Sequence, residues 1–327
     1  MNAIEFHNVI KRYGTVDALR GVSFSVERGE MFGLIGPDGA GKTTAIRAIC
    51  GLLHINAGSI RVLDNDPITQ HRNVTGMVGY LSQRFSLYGD LSIDENIAFF
   101  AEIHGVSDFH ARRDRLLEMT QLTRFRDRLA DQLSGGMKQK LALACTLVHE
   151  PQVIVLDEPT TGVDPVSRRE FWKLLSRFLA QGITILMSTP YLDEAERCSR
   201  IALLHEGKLL ALDQPSRLRA GLQGTLFEVI VDSPRETMDR LSAQREIASA
   251  QVFGDRLHVW IDGRDTKAAE LSLQSAARAA GVTPTSVRPI VPSLEDVFIA
   301  KLAAEDAQLS RAAEGAEHSR ATEGAEL

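Results

Sequence analysis

Residues 31–49 read MFGLIGPDGAGKTTAIRAI and decide the fold of the first part of this chain. An apolar strand, Met31 to Ile35, leads into Gly36-Pro-Asp-Gly-Ala-Gly-Lys-Thr43, which fits the phosphate-loop pattern G-x-x-x-x-G-K-[ST]. An apolar-periodic helix follows. In such a loop the glycines let backbone N–H groups surround phosphates, and the helix start adds positive potential. The pattern predicts that Lys42, on the solvent side of the loop, reaches the β- and γ-phosphates of a nucleotide and can be replaced without loss of the fold. It also predicts that Thr43 binds Mg²⁺.

The segments around this loop alternate between strands and helices. Short strands are predicted at Ile4–Val9 and Val22–Val26, with turns after each of them. Further along, Val153–Leu156 is wholly apolar, as is usual for a parallel strand buried on both faces, and Ile183–Met187 is similar. This alternation predicts an α/β domain with a mostly parallel sheet covered by helices.

Residues 84–132 are more polar and are predicted to form a helical insertion. Ser92-Ile-Asp-Glu95 is a capping box that opens a helix through Phe100, and a second helix covers His110–Thr120. Six arginines of this insertion form either a solvated helix face or a basic face toward anionic lipid or a partner's loop. They are Arg112, Arg113, Arg115, Arg124, Arg126 and Arg128.

The pattern changes after Pro215. A strand at Thr225–Val231, a helix, a hairpin across Gly254-Asp255, a second helix and a last strand give the order βαββαβ, which is that of a ferredoxin-like unit. The predicted domains are 1–218, with the insertion at about 84–132, and 219–302. Residues 303–327 contain an acidic near-repeat with few large apolar residues and are predicted to be a disordered tail.

Composition narrows the class of protein. The 327 residues carry a net charge of −6, with 44% hydrophobic and 24% charged residues, as in an ordinary globular protein. No apolar run reaches the roughly 18–20 residues of a membrane helix, so a cytoplasmic chain that does not span a membrane is expected. The acidic total argues against a nucleic-acid binder. The three scattered cysteines predict neither disulfides nor a zinc site.

Two acidic residues follow the buried strand at 153–156. Asp157 and Glu158 stand at the carboxyl end of a parallel strand, where α/β sheets bind their ligands. We expect Asp157 to bind Mg²⁺ and Glu158 to polarise the attacking water. The alternative is a solvated strand end with no chemical role.

A second anion-binding helix start is predicted within Leu133-Ser-Gly-Gly-Met-Lys-Gln139. Ser134 caps the helix, and Gly135-Gly136 leaves its first turn bare. The helix after Thr43 already holds the nucleotide, so the second start is expected to serve a neighbouring chain in a head-to-tail pair.

The motif LSGGMKQ, residues 133–139, follows a phosphate loop along the chain. With these two motifs, residues 3–218 resemble the ATP-binding cassette (ABC) ATPases. The resemblance implies a P-loop NTPase cassette with a β-subdomain, a RecA-like core and a helical insertion. It implies that Tyr13 stacks on adenine, that Gln83 senses Mg²⁺ and the membrane partner, and that Asp164 is the D-loop aspartate. Alternatively, Tyr13 braces a turn, Gln83 ends a strand and Asp164 caps a helix before Pro165.

The predicted site has three parts. The predicted catalytic residues are Glu158 and Gln83, and the predicted Mg²⁺ ligands are Thr43, Gln83 and Asp157. The predicted ATP-binding residues are Tyr13, Gly36, Pro37, Asp38, Gly39, Ala40, Gly41, Lys42, Thr43, Thr44, Ser134, Gly135, Gly136 and Asp164.

The segment Pro292–Phe298 resembles the end of the accessory domain in drug- and lipid-exporting cassettes whose permease is a separate chain. This resemblance implies an integral-membrane permease and a second cassette as partners, and a peripheral place on the inner face of the cell membrane. Two other functions stay open. A soluble cassette acting on ribosomes or DNA usually has two cassettes or a long coiled coil, and a nucleotide-gated regulator would hydrolyse little ATP.

Pro190 departs from the family pattern. Ser188-Thr-Pro190-Tyr stands where the family has a switch histidine, and proline has neither a side-chain donor nor a backbone N–H. We expect Thr189 to cap the following helix and Pro190 to begin it. A contact to the γ-phosphate is missing, and a hydroxyl of Ser188 or Thr189, or a water, is expected to replace part of it. We therefore expect slow rather than absent hydrolysis.

Overall fold

The computed structural model describes residues 1–83, 87–263 and 265–305. The chain forms two compact units that divide between Pro215 and Ser216, three residues before the predicted boundary. Among the described residues, none of the helices has both the length and the apolar character that a membrane span requires.

The first unit is built on a six-stranded sheet of order β5-β6-β7-β3-β8-β9. All neighbours are parallel except β8 and the edge strand β9. Every residue of the central strands β3, β6 and β7 is buried, as their apolar sequences predict. The sheet's strands are β3 (Met31–Ile35), β5 (Val78–Leu81), β6 (Val153–Asp157), β7 (Thr184–Thr189), β8 (Arg200–His205) and β9 (Lys208–Asp213).

A three-stranded antiparallel sheet of order β2-β1-β4 completes the β-structure of this unit. Its strands are β1 (Asn2–Tyr13), β2 (Val16–Glu27) and β4 (Ala57–Val62). β1 and β2 are about twice as long as predicted, because register shifts interrupt the apolar alternation while pairing continues. Stacked rings of Phe6, Phe24 and Phe32 fill the core between the two sheets, at centroid distances of 4.8 and 5.5 Å.

The helices of the first unit are α1 (Lys42–Ile49), α2 (His71–Met77), α3 (Ile93–Ile103), α4 (His110–Thr120), α5 (Gly135–Leu147), α6 (Pro165–Ala180) and α7 (Leu192–Ala195). Of these, α3 and α4 lie within the segment that is predicted as a helical insertion. The capping box at Ser92 and Glu95 is present, and α4 has the predicted bounds. Short 3₁₀ turns cover Thr123–Phe125 and Ala130–Gln132.

Most of the arginines in the insertion are paired with acids. Arg112 and Arg115 contact Glu150, and Arg113 and Arg126 contact Asp94. The two others lie over the ring of Phe125: Arg124 at 4.6 Å and Arg128 at 5.0 Å. Because these acids offset the charge of four of the six arginines, the contacts argue against a basic face at those four residues.

The second unit confirms the ferredoxin-like prediction. Its sheet has the order β11-β12-β10-β13 with every pair antiparallel, which is the order that βαββαβ chains adopt in that fold. Its elements are α8 (Pro215–Ala220, which begins at the division), β10 (Thr225–Ile230), α9 (Pro234–Ser242), β11 (Ile247–Phe253), β12 (Arg256–Ile261), α10 (Thr266–Ala279) and β13 (Ser286–Ile290). The apolar sheet face packs Phe227, Val259 and Leu273 into one core.

A last helix covers 294–305, so residues 303–305, which were predicted to begin the tail, are helical. Ser293 and Asp296 bond reciprocally through side chain and backbone at the start of this helix, which forms a capping box with aspartate in the acidic position. The rest of the predicted tail, 306–327, lies outside the described residues.

Glu228 stands in the middle of the second sheet between two arginines. Arg288 Nε donates to its Oε1 at 2.7 Å and Arg256 Nη1 donates to its Oε2 at 2.9 Å. These hydrogen bonds lower the pKa of Glu228 to about 2. Because this pKa lies below that of the unfolded chain, the cluster stabilises the fold above about pH 4.5 and loses its effect as pH falls toward 2.

We predict that Glu228→Gln makes the stability of the second unit less dependent on acid. Trp172 lies in the first unit and Trp260 in the second, so Trp260 fluorescence in a Trp172→Phe background reports the second unit alone. At pH 6 the second unit of the Trp172→Phe protein should melt at a higher temperature than the second unit of the same protein with Glu228→Gln added. This difference in melting temperature should shrink between pH 4.5 and 2. A difference that stays constant over this range would contradict the assignment.

Candidate nucleotide site

The phosphate loop joins β3 to α1, and its lysine points inward. Lys42 is only 4% exposed, and its Nζ donates to the carbonyl oxygens of Gly36 at 2.8 Å and Pro37 at 3.0 Å. A Cβ at Gly36 would lie 2.2 Å from the Leu204 carbonyl oxygen. Glycine is therefore required at the start of the loop for packing against β8, in addition to any contact with phosphate.

Asp157 ends β6 beside the first turn of α1. Its Oδ1 accepts hydrogen bonds from Thr43 Oγ1 at 3.1 Å and from Ser188 Oγ at 2.7 Å, and the residue is 1% exposed. The two predicted Mg²⁺ ligands Thr43 and Asp157 are thus in direct contact. Sequence reasoning missed the bond from Ser188 to this carboxylate.

Glu158 leaves the strand in a left-handed conformation, with φ = 48°. Neighbouring side chains of a strand normally point to opposite faces, but this turn directs Glu158 to the same side as Asp157. Its Oε1 lies 3.2 Å from Lys42 Nζ, and its Oε2 accepts a hydrogen bond from Gln83 Nε2 at 3.0 Å. Lysine, glutamate and glutamine therefore form one cluster over the phosphate loop.

A cavity of about 620 Å³ opens above this cluster. It brings together Tyr13, which is 46% exposed, with the loop, Gln83 and Glu158. Five of its lining residues carried no recognisable motif and were not predicted; they are Val16, Asp17, Ala18, Arg20 and Glu206. The predicted residues in the lining are Tyr13, Asp38, Gly39, Ala40, Gly41, Lys42, Thr43, Thr44, Gln83 and Glu158.

The second predicted helix start does not line this cavity. Ser134 caps α5 by accepting from Met137 N, and Asp164 caps α6 by accepting from Val166 N and Ser167 N, both at 3.0 Å. The side-chain hydrogen bond with Ser167, together with the bonds from the backbone N–H groups of Ser167 and Val166, holds the pKa of Asp164 below its ordinary value. A Cβ at Gly136 would lie 2.3 Å from Ser167 Oγ, so α5 and α6 begin side by side. Gly135 faces open space.

The Pro190 segment, residues 188–191, differs in one respect from what the sequence predicts. The helix α7 begins at Leu192 with Tyr191 before it, so Pro190 is not the first helical residue. Thr189 Oγ1 accepts from Tyr191 N at 3.0 Å and donates to Glu194 Oε2 at 2.7 Å. Ser188 donates its hydroxyl proton to Asp157. Both hydroxyl protons that could replace the missing donor are therefore engaged elsewhere.

Comparison with known proteins identifies the family. The family model described as ABC transporter matches residues 19–161. The Nod factor export ATP-binding protein I of Burkholderia lata is 37% identical over 300 residues, which cover 90% of this chain and 95% of that protein. The chain belongs to the ABC transporter ATP-binding proteins. The Escherichia coli probable multidrug ABC transporter ATP-binding protein YbhF is 40% identical over 304 residues, 90% of this chain.

The chain spans about half the length of YbhF, since the match covers 51% of that protein.

Solved structures of ABC transporter cassettes match the fold of this chain. The ATP-binding subunit of an ABC transporter matches with a TM-score of 0.62 and 31% identity, over 67% of this chain and 92% of that one. A dimeric bacterial ABC transporter cassette matches with a TM-score of 0.58 and 27% identity, over 64% and 98%.

We predict that Lys42→Ala weakens both ATP binding and the fold of the cassette. Loss of a charged hydrogen-bond donor costs about 1.5–3 kcal/mol, or roughly 10–100-fold in affinity. The variant also leaves Glu158, 8% exposed, without its cation, which destabilises the protein by about 3–5 kcal/mol. This corrects the expectation of a solvent-side lysine whose removal spares the fold. Calorimetric titration with Mg-ATP and urea unfolding measure the two effects.

The matched control is the double variant Lys42→Ala/Glu158→Gln. It removes the unpaired carboxylate, so it should recover most of the stability without recovering ATP affinity. Unchanged ATP affinity in Lys42→Ala would contradict the predicted role of the lysine.

Proposed function

We propose that this cassette binds ATP with Mg²⁺ and hydrolyses it to power a membrane exporter. The observation that carries the proposal is the convergence of the phosphate loop, Asp157 and Glu158. Lys42 meets Glu158 at 3.2 Å and Thr43 meets Asp157 at 3.1 Å, although these residues are more than a hundred positions apart. A phosphate-binding loop beside two carboxylates at strand ends is the arrangement that phosphoryl transfer requires.

The donor set suits Mg²⁺. The hydroxyl of Thr43, the carboxylate of Asp157 and the amide oxygen of Gln83 are hard oxygen ligands, and Mg²⁺ usually takes only one or two carboxylates with phosphate oxygens and waters. The contact between Thr43 and Asp157 places two of these ligands together. The bound ion would offset negative charge on the β- and γ-phosphates. Tyr13, at the cavity rim, would stack on the adenine ring.

Glu158 is the proposed general base. Gln83 donates to Oε2 through its Nε2, which orients the carboxylate. Ser134, Gly135, Gly136 and Asp164 lie outside the cavity lining, and the open space at Gly135 leaves room for an anion. We propose that they face the nucleotide of a second cassette, the same chain or a paralogue, in a head-to-tail dimer.

The exporter role rests on the relatives. One is named a Nod factor export protein and another a probable multidrug transporter protein, and both are described as ATP-binding proteins. We propose that this cassette works with an integral-membrane permease at the inner face of the cell membrane, and that its cargo is a drug, a lipid or a similar small molecule. No role with nucleic acid is proposed.

We predict that the tagged chain, expressed in its native host, is recovered with membranes. Native mass spectrometry of the detergent-solubilised complex should show two cassettes with at least one integral-membrane chain. Recovery of a monomer in the soluble fraction alone would contradict both the exporter role and the dimer.

Pro190 favours slow hydrolysis. A preorganised donor to developing negative charge is typically worth about 10²–10³ in rate, and the hydroxyl protons of Ser188 and Thr189 are donated to Asp157 and Glu194. Glu158 is nevertheless present and contacts Lys42 and Gln83. A purely regulatory site would not need this residue. We propose a slow ATPase rather than an inactive regulator.

We predict that Pro190→His raises phosphate release at saturating Mg-ATP by roughly tenfold, with little change in ATP affinity, because the added donor acts mainly in the transition state. Pro190→Ala is the matched control: it removes the ring and restores the backbone N–H without adding an imidazole. An equal gain in both variants, or no gain from histidine, would contradict this interpretation of Pro190.

A further inference from the structure

Glu194 is a buried carboxylate that no motif of the sequence assigns. It lies on the four-residue helix α7, just after the Pro190 segment, and is 1% exposed. Its two oxygens accept hydrogen bonds from hydroxyls of two different segments of the cassette. A buried charge of this kind is costly unless every contact is made, so its partners indicate what it does.

The first partner is Thr160, which stands two residues after Glu158. Its Oγ1 donates to Glu194 Oε1, and the residue is almost completely buried. The intervening turn is tight, because Thr161 N donates to the Glu158 carbonyl oxygen at 3.2 Å. Fixing Thr160 therefore fixes the turn that carries the proposed base.

The second partner is Thr189, the last residue of β7. Its Oγ1 donates to Glu194 Oε2 at 2.7 Å and also accepts from Tyr191 N. This hydroxyl therefore links the residue before Pro190 to the residue after it. Arg168 of α6 supplies the counter-charge, with Nε 3.6 Å from Glu194 Oε1, and its guanidinium lies 4.9 Å above the ring of Tyr191.

The sheet itself cannot provide this link. Pairing of β6 with β7 ends at Asp157 and Ser188, and the last backbone bond across them runs from Glu158 N to the Ser188 carbonyl oxygen at 3.2 Å. Beyond that point the two segments separate. Glu194 links the two segments by accepting hydrogen bonds from Thr160 after β6 and from Thr189 at the end of β7.

We propose that Glu194 is a positioning residue that ties the turn after Glu158 to the Pro190 segment and so holds the proposed base in place. The inference rests on the proposed ATPase function. Among the described residues, no hydrogen bond joins Glu194 to the phosphate loop at 36–43. Loss of the tie should therefore lower the rate of hydrolysis and leave ATP binding nearly unchanged.

The test removes the hydroxyls and keeps the carboxylate. Thr160→Val and Thr189→Val preserve shape, whereas Thr160→Ser and Thr189→Ser preserve the hydroxyl. Thr184→Val is the matched control, because Thr184 is an equally buried threonine at the opposite end of β7, bonded to Gly29 N. Steady-state phosphate release gives kcat and KM, and calorimetry gives the Mg-ATP affinity.

We expect each valine variant to lower kcat by at least about tenfold, because small displacements of a reacting group are expensive, with ATP affinity within about threefold of the wild type. The serine variants should stay within about threefold of wild-type kcat, and Thr184→Val should keep both values. Hydrogen–deuterium exchange should be faster at 188–191 in Thr160→Val. This variant changes only the turn after Glu158, so an effect at 188–191 would be transmitted through Glu194.

Four results would overturn the inference. Wild-type kcat in both valine variants would show that the tie does not position the base. An equal loss of kcat in the serine variants, or a parallel loss of ATP binding, would indicate a general disturbance of the fold. Absence of phosphate release by the wild type would instead refute the proposed function, and the positioning role with it.

Discussion

The parallel pairing of β3, β7 and β6 is the constraint on which the nucleotide site depends. β7 lies between the other two, and the register places Ile35 beside Thr189 and Asp157 beside Ser188. Two strand spacings of about 4.8 Å put the loop after β3 roughly 10 Å from the carboxylates after β6. Side chains of Lys42 and Thr43 then cross that gap, and Ser188 fills the space between.

Charge balance in this gap stabilises the cluster of Lys42, Glu158 and Gln83. Lys42 is almost fully buried, and its ammonium contacts two carbonyl oxygens and the carboxylate of Glu158. A buried cation or anion alone would be destabilising, so each holds the other in place. The left-handed backbone at Glu158 costs about 1–2 kcal/mol and is maintained by these contacts. The same arrangement places Lys42, the proposed phosphate-binding cation, beside the proposed base.

The sequence was informative where local chemistry decides the structure. The phosphate loop, the capping box at Ser92 and the helix His110–Thr120 each depend on residues within one or two turns, and all three are found as predicted. The ferredoxin-like order was also predictable, because alternating patterns and the turn at Gly254 specify it. Long-range polar contacts were not. Nothing in the residue types of Ser188 or Glu194 shows that they meet Asp157 and Thr160.

Two local expectations failed, and for different reasons. Lys42 was expected to face solvent, but Glu158, which is distant in the chain, pairs with it. The helix after β7 was expected to start at Pro190, but Thr189 instead bonds to Tyr191 N and to Glu194, five residues further on. The lysine contact depends on how the strands are ordered in the sheet, whereas the Thr189 contacts are local and carry no recognisable motif.

We propose that Glu158, held beside the phosphate loop, is the general base of ATP hydrolysis. Phosphate release at saturating Mg-ATP, compared between the wild type and Glu158→Gln, tests this role. A general base contributes about 10²–10⁴ in rate. We therefore predict slow, measurable release by the wild type and at least a hundredfold less by the variant, with ATP binding retained. Equal rates for the two proteins would contradict it.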